Sequence, residues 1–189
     1  MRIIAGNFKG TSLYITKDKN TRPLKDITRE SIFNLLTHSN KILLELKQSN
    51  VLDLYAGTGS FGLECLSRHA VSVCFIEKEK KAFDILEKNI EKLKVKNKIK
   101  MYFDDIFKLI EKKNILKSKF HLIFCDPPFK HTNIEKLIEL IFAKNLLHKN
   151  GIIVIHRNKN TKEKLPNYFE IIDERIYGIS KIIFGKFLS

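Results

Sequence analysis

The chain has 189 residues, 43% of them hydrophobic, and a formal net charge of +14. A chain of this length and composition suits one domain with a substantial core and a small appendage. It holds no run of about 18 apolar residues, which excludes a membrane-spanning helix, and its first residues lack a secretory h-region, so a cytoplasmic protein is expected.

Residues 2–5 and 12–16 alternate around Gly6-Asn7-Phe8-Lys9-Gly10 and predict a basic β-hairpin carrying Arg2 and Lys9. Thr21-Arg22-Pro23 reads as a turn. Asp26 to Thr37 predicts an amphipathic helix, with Ile27, Ile32, Phe33, Leu35 and Leu36 inward and Arg29 near its start. A second helical stretch is expected from Lys41 to Lys47. From residue 51 onward the pattern alternates. Strands are predicted at 51–55, 71–76, 98–103, 120–125 and 151–156, and helices at 60–68, 78–93, 105–113 and 132–143. Tyr168 to Ile176 and Ile179 to Phe187 flank Tyr177-Gly178 as a terminal hairpin. Repeated strand–helix units predict an α/β fold: a doubly wound, mainly parallel sheet with a terminal antiparallel hairpin and an N-terminal β-hairpin/helix extension.

The first of these units is Val51-Leu-Asp-Leu-Tyr-Ala-Gly-Thr-Gly-Ser-Phe-Gly62. An apolar strand ends in Asp53 and Tyr55, and Gly57 and Gly59 then permit a tight turn close to a ligand. Strand, glycine turn and helix form a nucleotide cradle. The spacing also fits a dinucleotide fingerprint, but a pyrophosphate has no use for the acid Asp53 inside the strand. A cationic amino group does, and S-adenosylmethionine carries one. Glu77, at the tip of the second strand about twenty residues past the glycines, is placed for the two ribose hydroxyls. As a bland alternative, Glu77 is a solvated charge opening a helix. Asp105 follows the third strand and suits the adenine amino group, with Ile106 or Phe107 against the ring; it equally suits a helix N-cap.

Phe124-Cys125-Asp126-Pro127-Pro128-Phe129 follows another apolar strand. The Asp126 carboxylate and a proline carbonyl can each accept one hydrogen of an exocyclic amino group. Pro127 and Pro128 stiffen the turn, and Phe129 offers a face on which a base stacks. Asp53, Glu77, Asp105 and Asp126 thus all fall at carboxyl ends of predicted strands, the rim where such sheets bind ligands.

The positive charge favours a polyanionic partner. Only six of the 35 basic residues are arginine, and Arg2, Arg22 and Arg29, with Lys9, are the candidates for nucleic-acid contact. Cys65, Cys74 and Cys125 lie in apolar segments without metal-ligand spacing and read as buried thiols; no metal is expected.

The chain resembles the RsmD family of bacterial methyltransferases along nearly its whole length. The resemblance rests on Arg2-Ile-Ile-Ala-Gly6 with Lys9-Gly10, Thr21-Arg-Pro23, Arg29-Glu-Ser-Ile-Phe-Asn-Leu35, Leu52-Asp-Leu-Tyr-Ala-Gly-Thr-Gly59, Gly62-Leu-Glu-Cys-Leu-Ser-Arg68 and Asp126-Pro-Pro-Phe129. It implies a Rossmann-like class I S-adenosylmethionine-dependent enzyme that methylates N2 of a guanine in 16S ribosomal RNA, free or within the small ribosomal subunit. It further implies an RNA-binding part at 1–48 and a methyltransferase domain at 49–189; a monomer is the default expectation. A DNA adenine-N6 methyltransferase and a non-catalytic RNA-binding protein on the same fold are the alternatives. The chain departs from the family after the fifth strand. A glutamate is usual there, whereas this sequence has Ile155-His156-Arg157, with His156 expected to be packing or surface.

Overall fold

The computed structural model describes residues 1–16, 24–42, 44–112, 118–128 and 133–188. The chain runs through α1 (Asp26–His38), β1 (Asn50–Leu54), α2 (Ser60–Ser67), β2 (Ser72–Glu77), α3 (Lys80–Leu93), β3 (Ile99–Phe103) and α4 (Ile106–Glu111). It continues through β4 (Phe120–Cys125), α5 (Ile134–Ala143), β5 (Leu147–Asn158), β6 (Phe169–Tyr177) and β7 (Ser180–Phe187). The strands form one seven-stranded sheet in the order β3-β2-β1-β4-β5-β7-β6. β1 to β5 pair in parallel, and β7 and β6 close the edge antiparallel. Among the described residues, no helix is long and apolar enough to cross a membrane.

The strand sequences explain this layering. A strand covered on both faces reads as an unbroken apolar run, and alternate residues go to opposite sides. Val51, Phe75, Leu122, Phe124 and Val154 join one core with residues of α1, α2 and α3. Leu52, Leu54, Ile76, Ile123, Ile153 and Ile155 join the other with α4 and α5. Phe61 of α2 stacks on Phe124 at 3.8 Å and on Phe33 of α1 at 5.0 Å, so one aromatic column ties the N-terminal helix to the sheet. Each such buried ring contributes roughly 2–3 kcal/mol.

The parallel order reverses between β1 and β4: the chain winds outward to β3, returns to β4 and proceeds the other way. A doubly wound sheet opens a crevice at that reversal, beyond the carboxyl ends of the two strands. The glycine turn follows β1 and Asp126 follows β4, so the two motifs flank this crevice.

Several elements differ from expectation. The N-terminal hairpin is present but short: the bridge Arg2↔Ser12 is flanked by backbone bonds from the Leu13 N–H to the Met1 carbonyl and from the Ile3 N–H to the Thr11 carbonyl, both 3.0 Å. Side chains of α2 dock the loop of this hairpin on the helix. The Ile4 and Ala5 N–H groups donate to Glu64 at 2.7 and 3.0 Å, and the Phe8 N–H donates to Ser67 Oγ at 2.9 Å. Ile27 is 74% exposed, because the buried stripe of α1 runs through Arg29, Ile32, Phe33 and Leu36 in i, i+3, i+4, i+7 spacing. Between Lys41 and Lys47 the described residues hold only the start of a short 3₁₀ turn, Leu46–Gln48. β5 begins four residues earlier than the apolar pattern suggests, since backbone pairing of Leu147 with Phe120 carries it past the polar His148, Lys149 and Asn150. The Thr21-Arg22-Pro23 turn, Phe129, and the expected helix limits at 113 and 132 lie outside the described residues.

Candidate active site

On the β1 side of the crevice the acids are held by backbone. Asp53 is 1% exposed; its Oδ2 accepts the Gly62 N–H at 2.9 Å. Burial pushes its carboxyl well above the usual range, and the nearby negative charges of Asp126 and Glu77 add to the shift against that one hydrogen bond. Asp53 Oδ1 is buried and has no partner among the described residues. An orphaned carboxylate oxygen is costly, and a cationic donor is the group that satisfies it.

Tyr55 then turns the chain out of β1 with φ +61°, a left-handed conformation that costs a side-chain-bearing residue roughly 1–2 kcal/mol. Burial also raises the pKa of its phenol. Gly59 has φ +84°, and a Cβ there would lie 2.3 Å from Leu86 Cδ1, so only glycine fits. The Gly57 N–H donates to Glu77 Oε2 at 2.6 Å, while Glu77 Oε1 accepts the Glu79 N–H at 2.7 Å. Glu77 therefore buttresses the glycine turn from the tip of β2. Asp105 is the N-cap of α4, accepting from the Phe107 and Lys108 N–H groups at 3.0 and 3.4 Å. The N-cap expectation thus holds for Asp105, and the next residue, Ile106, is buried.

On the β4 side the acid is held by side chains. Leu54 pairs with Cys125, and the Asp126 N–H reaches the Leu54 carbonyl at 3.5 Å. Asp126 Oδ1 lies 2.8 Å from His156 Nδ1, and His156 Nε2 lies 2.9 Å from Ser180 Oγ of β7. The Asp126 side chain keeps 21% exposure, so it borders the crevice without being sealed into the core. Pro127 is buried and Pro128 exposed. The Pro128 carbonyl accepts from Arg157 Nη1 at 3.2 Å, and Arg157 Nε donates to Glu163 at 2.5 Å. His156 is 6% and Arg157 2% exposed. Adjacent residues on a strand project to opposite faces, so β5 grips the acid with one residue and the proline turn with the next.

The sequence reading misses both residues. His156 is packed as expected, but against Asp126, and nothing within a few residues of it signals that contact. The one sign in the sequence is the departure at Ile155-His156-Arg157 from the glutamate that the resemblance implies.

The arm residues separate. Arg2 and Lys9 are exposed. Arg22 lies outside the described residues. Arg29 is a correction: it is 0% exposed, with Nη2 donating to the Arg2 carbonyl at 2.5 Å and to Asp26 at 3.0 Å, so it holds the arm on α1 and offers nothing to RNA. Its place on the buried stripe of α1 makes that burial unavoidable. The three cysteines are free and buried, and burial pushes the Cys74 thiol up to about 12, which suits inert core thiols.

A family model described as Conserved hypothetical protein 95 matches residues 1–186. A ribosomal RNA small subunit methyltransferase D from Buchnera aphidicola is 34% identical, covering 93% of this chain and 86% of that protein. Another, from Haemophilus influenzae, is 31% identical over 95% of this chain and 90% of that protein. The crystal structure of a candidate methylase from Haemophilus influenzae superposes with a TM-score of 0.79 at 29% identity, covering all of this chain and 98% of that one.

Proposed function

The chain belongs to the family described as Conserved hypothetical protein 95, the RsmD family, and on that premise we propose that it transfers a methyl group from S-adenosylmethionine to N2 of a guanine in 16S ribosomal RNA. It would do so as a cytoplasmic monomer, with residues 1–48 facing the RNA. The observation that carries this reading is the adjacency of Asp126 to the glycine turn across the β1–β4 reversal.

The methyl donor supplies a methyl on a sulfonium, a leaving group that needs no acid. Asp53, Tyr55, Gly57, Gly59, Glu77, Asp105 and Ile106 are the residues that would hold it, and the orphaned Asp53 Oδ1 suits its amino group. The remaining difficulty is the guanine amino group, whose lone pair is delocalised into the ring. Asp126 accepts one amino hydrogen and the Pro127 carbonyl the other, which turns the lone pair toward the donor's side of the crevice. The Pro128 carbonyl is already engaged by Arg157, so this proline acts as a stiffener. Phe129 supplies the stacking face. The gain is positioning and preorganised electrostatics, and the amino proton leaves afterwards to Asp126 or to water. Arg2 and Lys9 contact the RNA backbone.

The test is nucleoside mass analysis after incubating the protein and S-adenosylmethionine with small subunits, naked 16S RNA and DNA from cells lacking the protein. N2-methylguanosine from an RNA arm is expected. N6-methyladenine in DNA, or no product in any arm, overturns the reading.

A further inference from the structure

We propose that His156 is a positioning residue for methyl transfer: it fixes the rotation of the Asp126 carboxylate and is itself fixed by Ser180. This rests on the reading of Asp126 as the acceptor of the guanine amino hydrogens. The geometry is a linear chain, Asp126 Oδ1 to His156 Nδ1 at 2.8 Å and His156 Nε2 to Ser180 Oγ at 2.9 Å. It joins three elements that are separate in sequence, the end of β4, the C-terminal part of β5 and the start of β7. Among the described residues, Asp126 is hydrogen-bonded only through Oδ1 on its side chain.

The chemistry explains why this arrangement suits the task. An ionised carboxylate is acceptor-only, so the Nδ1 facing it carries the proton. A serine hydroxyl can donate or accept, and so serves Nε2 whichever form the ring takes. One carboxylate oxygen is thereby pinned, while the rest of the group stays at the partly open edge of the crevice. A clamp for two amino hydrogens depends on that orientation, since χ2 of an aspartate is otherwise broad. Here a 6% exposed imidazole meets the one acid of the proline motif. Arg157, next in sequence, holds the Pro128 carbonyl, so β5 steadies both halves of the clamp.

The experiment compares His156→Leu, His156→Asn, Ser180→Ala and Asp126→Ala in steady-state methyl transfer to the substrate that accepts it, with calorimetric S-adenosylmethionine affinity measured in parallel. An asparagine amide can place an N–H where Nδ1–H stood. Loss of the pinning misorients the acceptor, so His156→Leu is expected to lose about 100-fold in kcat, with RNA KM and cofactor Kd within about twofold of wild type. His156→Asn is expected to recover at least about tenfold of that loss, and Ser180→Ala to lose about three- to tenfold. A His156→Leu enzyme with wild-type kcat, or an Asn variant as poor as Leu in kcat at unchanged cofactor affinity, overturns the proposal. If Asp126→Ala stays active, the reading of Asp126 fails and takes this with it; if Asp126→Ala is dead while His156→Leu is active, only the positioning role fails. A readout independent of turnover is the nuclear magnetic resonance signal of the His156 Nδ1 proton in ¹⁵N-histidine-labelled protein. It is expected in the wild type and lost in Asp126→Ala; a wild-type ring without a proton on Nδ1 overturns the proposal even if every variant folds poorly.

Discussion

The two sides of the crevice hold their acids by different means. On the β1 side, Asp53, Glu77 and Asp105 each accept backbone N–H groups of nearby turns and helices, within about twenty residues of chain in either direction. On the β4 side, Asp126 is held by His156, 30 residues away, and the proline turn by Arg157, 29 residues away. Backbone-held acids are rigid because the loops that hold them are short. A side-chain-held acid depends on the sheet having assembled in register, so its geometry is open to single substitutions far along the chain.

That contrast can be broken at its strongest point first. Asp126→Ala should cut methyl transfer by at least about 100-fold while leaving cofactor affinity nearly intact, as expected for loss of a preorganised acceptor. A variant keeping more than about a tenth of the rate, a loss below ~1.4 kcal/mol, would show that the clamp is not the source of catalysis.

Arg157 sharpens the picture through stability. Arg157→Met leaves Glu163, 7% exposed at its side chain, as an uncompensated buried charge. Breaking one partner of such a pair costs about 3–5 kcal/mol, seen as a drop in Tm or in the denaturant midpoint. Arg157→Met combined with Glu163→Leu should regain most of that stability without regaining full activity, because the Pro128 carbonyl still lacks its donor. Recovery of both together would reduce Arg157 to a packing residue.

Asp53 is the counterpart on the β1 side. Its raised pKa means that its contribution to stability is fully present below the unfolded value of 3.8 and is lost as pH rises through the folded value. Asp53→Asn should therefore unfold no more easily than wild type at pH 8, yet bind S-adenosylmethionine about tenfold more weakly, ~1.4 kcal/mol, by calorimetry. Unchanged affinity would mean that the orphaned oxygen serves no ligand. The smallest effect is expected outside the crevice. Charge reversal at Arg2 and Lys9 should reduce the slope of log affinity for RNA against log salt by about 0.7–0.9 per lost phosphate contact. An unchanged slope removes the arm residues from the interface.

Arg29 and His156 show why part of this was unreadable. Arg29 follows Arg22 and Lys25 in the N-terminal part of a strongly basic chain and invites a nucleic-acid role. Its position on the i, i+3, i+4, i+7 stripe with Ile32, Phe33 and Leu36 is legible in the sequence, but a charge on a buried stripe runs against the pattern rule, and only the packed helix shows that the stripe prevails. The N-terminal arm forms the short hairpin that its alternation predicts, but its docking on Glu64 and Ser67 of α2, about sixty residues away, has no local sign.

The sequence alone determined the order of strands and helices, the glycine turn and the acids at the strand tips, because apolar periodicity, positive-φ glycines and N-capping act within a few residues. Tertiary structure decided which acid meets which partner. The reversal between β1 and β4 set Asp126 beside the glycine turn, and the parallel and antiparallel pairing of β5 brought His156, Ser180 and Arg157 to the proline motif. Those contacts depend on strand register, and register is fixed by the burial of whole strands in the assembled sheet.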